Sequence, residues 1–213
     1  LRKKDFRIIM LNYTYGTNGL KVDIPRIVNY IDKEIMKGDI AEAKLFNPDF
    51  IIANMHWGLE YERIPSREQR ELADWLMRQG VDLVIGSHPH VVQPMELRRG
   101  KEGVPDRLVV YSLGNFISNM GREHTDGGGM VKVVLDRKGL RRYIVSAQYS
   151  LIYSSRYKNE QGKEDIRVVP AASWSGKNQN SSFSVDSALI KYVNNTRLFL
   201  KSNNKEVEEY IFE

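Results

Sequence analysis

The chain has 213 residues, 41% of them hydrophobic, which suffices for one domain with a real core and excludes wholesale disorder. It contains no cysteine, which removes disulfides, thiolate metal sites and cysteine nucleophiles from consideration. Its net charge of +5 lies in short basic runs (Arg2–Lys4, Arg98–Lys101, Arg137–Arg142) with no nucleic-acid motif or aromatic platform, so polyanions such as phosphates or acidic polymers are better candidate partners than nucleic acid.

FRIIMLNYT (Phe6–Thr14) reads as a strand that ends in a Gly-Thr-Asn-Gly turn. From Pro25 to about Phe46, Ile27, Val28, Ile31, Ile35, Ile40 and Ala43 recur at helical spacing, with Pro25 in a first turn and Gly38 as a point where the segment could split. FIIANM (Phe50–Met55) is a short apolar run of the parallel-strand kind and ends at His56. Ser66 and Gln69 form a capping box for a helix that buries Leu72, Ala73, Leu76 and Met77 and stops at Gly80. Leu83–Ile85 is the next strand, so this half predicts a right-handed βαβ sheet.

The pattern then changes. Met95–Arg99, Leu108–Ser112, Met130–Asp136 and Tyr143–Leu151 are strand-like with no long helix between them, which predicts a largely antiparallel sheet. Ser154–Ser182 reads as a polar surface excursion. Asp186–Leu200 is an amphipathic helix with Leu189, Tyr192, Val193 and Leu198 inward, and a short helical end follows from Glu206. No apolar run approaches the ~20 residues that cross a bilayer.

Ligands in open α/β sheets sit beyond the carboxyl ends of the strands. Two predicted strand ends deliver histidine there: His56 after FIIANM, and His88 with His90 in GSHPHVVQP. Imidazole is a common ligand for zinc, manganese and iron, and an i, i+2 pair in extended backbone places two rings within reach of one ion. Pro89 holds His88 out of the helical region, and Gly86 leaves room for a close backbone approach. A His-Pro-His turn alone is an ordinary loop; the third histidine at a second strand end makes a metal site the better reading. Glu60 lies four residues past His56 as a partner for an imidazole or a brace for its loop. Asn115 in YSLGNF either braces the site or forms a turn. Glu96 reads as structural, Trp57 as core and His124 as a loop histidine.

HWGLEY (His56–Tyr61), GSHPHVVQPMEL (Gly86–Leu97) and YSLGNF (Tyr111–Phe116), with YTYGTNG (Tyr13–Gly19) before and TDGG (Thr125–Gly128) after, resemble the bacterial capsule-synthesis (CapA or PgsA) family of poly-γ-glutamate production. The resemblance spans roughly residues 6 to 140. It implies a relative of the calcineurin-like metallophosphoesterases: a four-layer α/β/β/α sandwich with two divalent ions (manganese, zinc or iron) at the strand ends. His56, His88 and His90 match the family's late metal-ligand positions, with Glu60 and Asn115 beside them as catalytic candidates. The earlier Gly-Asp, Asp and Asn-Asn-His motifs do not occur, and three neutral imidazoles offset no charge on two dications. The chain therefore reads as the C-terminal part of a larger protein, with residues 1–150 in the metallophosphatase-like domain and 151–213 a polar excursion and helices packed on it. The resemblance further implies an extracytoplasmic, cell-envelope location, capsule-synthesis membrane proteins as partners, and one of two functions: metal-dependent hydrolysis of a phosphoester or anionic polymer by an activated water, or non-catalytic polymer binding on the same fold.

Overall fold

The computed structural model describes residues 1–3, 6–101, 104–139, 141–171 and 187–211. Strands β1 (Arg2–Lys3), β2 (Phe6–Thr14), β3 (Phe50–His56), β4 (Leu83–Ser87), β5 (Met95–Arg98) and β6 (Arg107–Val110) make one sheet in the order β1-β2-β3-β4-β6-β5. β2, β3, β4 and β6 are parallel, and β1 and β5 close the two edges antiparallel. The second sheet holds β7 (Gly127–Lys138), β8 (Arg141–Lys158) and β9 (Glu164–Pro170), all antiparallel, with the short β10 (Glu208–Glu209) parallel to β8.

Alternation along each strand assigns its two faces. On β3, Ile51, Ala53 and Met55 point toward helices α1 (Lys33–Leu45) and α2 (Arg67–Gln79), where they pack with Met36, Ile40, Ala73 and Leu76. Phe50 and Ile52 point the other way, into a second core shared with Ile144, Ala147, Tyr149, Leu151 and Tyr153 of β8. Three layers result: helices α1 and α2, the six-stranded sheet and the four-stranded sheet. Helix α3 (Ser187–Asn203) adds Tyr192, Val193 and Leu200 to the core between the sheets. Its end is tied to the β5 edge, where Met95 N donates to Asn204 Oδ1 and Lys205 N to Met95 O. The mixed α/β class is as expected from the sequence.

Several local expectations are corrected. The first helix begins at Lys33, not Pro25, because the Asp32 carboxylate accepts from the backbone N–H groups of Glu34 and Ile35. Ile27 and Ile35 are exposed, Met36 takes the inward position, and Gly38 lies within the helix without splitting it. The capping box at Ser66 and the left-handed Gly80 cap of α2 form as read. β5 and β6 join the first sheet, so the antiparallel sheet consists of the later strands. Residues 154–158 and 164–170, expected in a surface excursion, are strand: the alternating SSRYK and EDIRVVP pair across a turn at Asn159–Gly162. Residues 172–182 of that excursion lie outside the described residues. Leu198 faces solvent while Thr196 takes the buried position, since the α3 stripe runs 189, 192, 193, 196, 200. The end expected to be helical from Glu206 adds a strand to β8.

Candidate metal centre at the strand ends

Parallel pairing sets His56, the last residue of β3, directly beside Ser87, the last of β4. Close approach of backbone makes this corner rigid. A Cβ on Gly86 would lie 2.0 Å from Tyr111 O and 2.4 Å from Trp57 Nε1. The buried Trp57 indole donates to Tyr111 O at 2.9 Å, and Leu113 N donates to Gly86 O at 3.0 Å. Both expectations, Gly86 for close packing and Trp57 for the core, hold.

From Ser87 the chain turns sharply. His88 and His90 have φ of 103° and 62°, so the pair is not in the extended backbone expected from Pro89. Non-glycine residues in that region each store about 1–3 kcal/mol of strain that surrounding contacts must hold. One such contact is Tyr61 N, which donates to Pro89 O at 2.8 Å and joins the His88–His90 turn to the loop after β3.

The strained turn brings donor atoms together. One ligand atom from each of Glu60, His88 and His90 lies within 4.8 Å of the other two. His90 Nε2 is 3.8 Å from Glu60 Oε1. Its Nδ1 is 2.9 Å from Asn115 Oδ1. The Asn115 amide is oriented by its own Nδ2, which donates to Thr125 O at 3.0 Å, so Oδ1 faces the imidazole and Nδ1 carries the hydrogen. The lone pair is thereby left on Nε2, toward Glu60. Asn115 itself is placed by Gly128. A Cβ there would lie 2.5 Å from Asn115 O and 2.6 Å from Leu113 O, so the Leu113–Asn115 segment lies directly on β7. Asn115 N donates to Gly127 O, and Gly129 N to Leu113 O.

His56 is brought alongside but not into this group. Its ring centroid is 4.7 Å from that of His88, while no nitrogen of His56 joins the Glu60–His88–His90 set. Tyr15 stacks on His56 at 5.8 Å and leans on His88 at 4.4 Å, and Tyr61 stacks on His90 at 5.9 Å. Burial lowers the pKa of His56 and of His88, and the neighbouring imidazoles lower both further. Both shifts favour the neutral imidazole, the form that can coordinate a metal. His124 stands apart beside Arg63, 3.5 Å from its guanidinium, and Glu96 is a structural carboxylate bound by Arg98.

The donor set of two imidazoles and a carboxylate suits zinc, manganese or iron. Zinc places its ligand atoms at about 2.0–2.2 Å, so a separation of up to 4.8 Å closes with small side-chain rotations. One divalent ion fits these residues. Among the described residues they are the one group of histidine and acidic side chains close enough to hold a metal.

Three contributors are not evident from sequence motifs of metal ligation. Tyr15 and Tyr61 wall the rings by stacking. Gln93, fully buried, accepts from Gln69 Nε2 at 2.9 Å and donates to Glu62 O at 2.8 Å, anchoring the loop that carries Glu60. A glutamine inside the apolar run VVQPM was the available signal, since a buried amide must find partners.

Fold and site together define a mixed α/β domain with an imidazole–carboxylate cluster at the carboxyl ends of parallel strands. Residues 1–120 match the family described as bacterial capsule synthesis protein PGA_cap, and the chain belongs to that family. It is 36% identical over 115 residues to the PGA biosynthesis protein CapA of Bacillus subtilis (strain 168), an alignment covering 54% of this chain and 28% of that protein. It is also 36% identical over 107 residues to the capsule biosynthesis protein CapA of Bacillus anthracis, covering 50% of this chain and 24% of the relative. The chain thus spans about a quarter of the length of these curated relatives. No helix among the described residues is long and apolar enough to cross a membrane.

Proposed function

We propose that the chain carries part of a metal-dependent hydrolase of capsule biosynthesis, acting outside the cytoplasm on a phosphoester or an anionic polymer. The observation that carries the reading is the Glu60–His88–His90 group with His90 locked in one tautomer by Asn115. Membership of a capsule synthesis family, and relatives whose names assign them to PGA and capsule biosynthesis, supply the process.

Glu60, His88 and His90 would hold the ion. Bound there, a divalent metal supplies Lewis-acid polarisation of a substrate oxygen and a lowered pKa for water. The protein's own residues do the rest. Asn115 keeps the His90 proton on Nδ1, so Nε2 stays available as a donor atom. Glu60 places a negative charge beside two neutral rings, with its Oε1 3.8 Å from His90 Nε2, where it can accept a proton from a water held in the cluster. Tyr15 and Tyr61 cover ring faces and limit water access.

A second reading, non-catalytic binding of an anionic polymer, is favoured by one feature. Glu60 brings a single negative charge, which leaves a bound dication half uncompensated and attractive to a ligand carboxylate or phosphate.

Calorimetric manganese and zinc titrations, paired with p-nitrophenyl phosphate turnover, separate the readings. One saturable site is expected, abolished in His88→Ala/His90→Ala and weakened about 10- to 100-fold in Asn115→Ala. Metal-dependent turnover lost in the double variant supports hydrolysis, and binding without turnover supports the second reading. Equal metal affinity in all three proteins would refute both.

A further inference from the structure

A second site lies at the opposite end of the first sheet. β3 runs from Phe50 at that end to His56 at the metal centre, so the two are about 20 Å apart at ~3.3 Å per residue. There the last turn of α1, the cap of α2, the start of β6 and the β7–β8 hairpin line a solvent-open pocket of about 450 Å³. Lys44, Arg107, Arg137 and Arg142 line it.

Two carboxylates oppose those four cations. Asp82, only 1% exposed, accepts from Arg107 at 2.6 Å and from Ile51 N at 2.8 Å. Asp49 accepts from Arg137 at 2.7 Å. Arg142 has no carboxylate of its own: it donates to Pro48 O and Asp49 O at 3.2 and 2.6 Å, and Asp82 is 3.9 Å away and already taken. The Lys44 ammonium makes no hydrogen bond and no ion pair within 4 Å among the described residues, although Asp82 feels its charge. Its stem crosses the α2 cap, where a Cβ on Gly80 would be 2.9 Å from Lys44 Cε and 3.1 Å from its Nζ. The charge excess is therefore two, held by Lys44 and Arg142.

Part of this cationic lining has a local reason. The carboxyl ends of α1 and α2 present unpaired carbonyls and partial negative charge, which basic groups satisfy. Arg142 does this for the segment after α1. The same reason reaches Lys44, which stands in the last turn of α1 with its stem over the α2 cap, but neither helix end requires a pocket that gathers four cations against two carboxylates. A surplus of like charge around a concave surface attracts an anion, and guanidinium forks match the planar oxygens of phosphate and carboxylate.

We propose that this pocket binds an oxyanion, a phosphate or carboxylate group, between Lys44 and Arg142, separately from the metal centre. The volume exceeds that of one such group, so the anion is one end of a larger ligand that continues outward. The pocket shares no residue with the histidine cluster, and this binding does not depend on the hydrolase reading.

The test is calorimetric titration of the protein with inorganic phosphate and, separately, with a glutamate oligomer, at 10 and 150 mM salt. Saturable binding by at least one probe is expected, weaker at the higher salt. Phosphate binding alone identifies a phosphoryl ligand, and oligomer binding alone a polycarboxylate. Lys44→Glu, a change at an exposed side chain, should weaken affinity at least tenfold, and Arg142→Gln should do likewise. His88→Ala/His90→Ala should bind as the unaltered protein does. The proposal is overturned if neither probe saturates, if Lys44→Glu binds unchanged, or if the histidine double variant alone loses binding. It is also overturned if Arg142→Gln lowers the unfolding midpoint while leaving anion affinity intact.

Discussion

Replacing Gly86 by alanine tests whether close backbone packing holds the candidate metal centre together. The new Cβ would meet Tyr111 O at 2.0 Å, Trp57 Nε1 at 2.4 Å and the Tyr111 carbonyl carbon at 2.7 Å. Even a 3.0 Å contact requires the Tyr111 carbonyl to retreat by 1.0 Å. It has little freedom to do so: Tyr111 N is bound to Pro94 O, and Leu113 N to Gly86 O. Overpacking of this kind costs about 1–3 kcal/mol. Displacing the buried Trp57–Tyr111 hydrogen bond adds about 1–3 kcal/mol, giving a total near 4 kcal/mol. Reduced chain entropy in the unfolded state offsets only about 0.4–1 kcal/mol of that. With a urea slope of about 2–3 kcal/mol per molar, the unfolding midpoint should fall by about 1–2 M. Urea denaturation followed by tryptophan fluorescence measures it, and manganese titration of the folded variant should show weaker binding because β4 carries the His88–His90 turn. An alanine variant with an unchanged or raised midpoint refutes the packing argument.

Gln93→Leu strands the buried Gln69 Nε2 and removes the donor to Glu62 O, so it should cost about 1–3 kcal/mol in urea unfolding and also weaken manganese binding by loosening the Glu60 loop; unchanged metal affinity would show that Gln93 serves the core alone. In the metal-free protein, His56 and His88 should titrate below the ordinary 6.5 because burial and adjacent imidazoles disfavour their charged forms. Between 6.5 and those lower values the unfolded chain binds more protons than the folded one, so stability falls as pH drops through that window and levels off beneath it. Imidazole proton NMR across pH 4–8 reads the titrations directly, and midpoints at or above 6.5 would contradict the burial described.

The sequence made β2, β3 and β4 legible because their apolar runs are short and end at clear punctuation: Thr14 before a glycine turn, His56 and the Gly86–Ser87 step at the site, whereas β5 and β6 were read into the wrong sheet. The α2 capping box was equally readable. The start of α1 was not, since Pro25 and a false periodicity outweighed the local Asp32 cap. The 154–170 hairpin was hidden by polar composition: its strands alternate, but one face carries serine, arginine and glutamate in place of apolar residues. At the candidate centre, histidines at two strand ends could be read from the chain. The orientation of each ring could not, because it depends on positive φ at His88 and His90 and on an asparagine 25 residues later in sequence. His56 illustrates the limit: the right strand end brought it beside His88, yet not into the set of converging donor atoms.

The glycines that open β7 give the second sheet a part in the chemistry of the first. Because bare backbone at Gly128 seats Asn115 on that strand, the proton position on His90 is set by how the two sheets are stacked. A sliding of one layer against the other would be felt first as a rotation of this imidazole. Mutations deep between the layers, far from any donor atom, should therefore act as tuning screws on metal affinity.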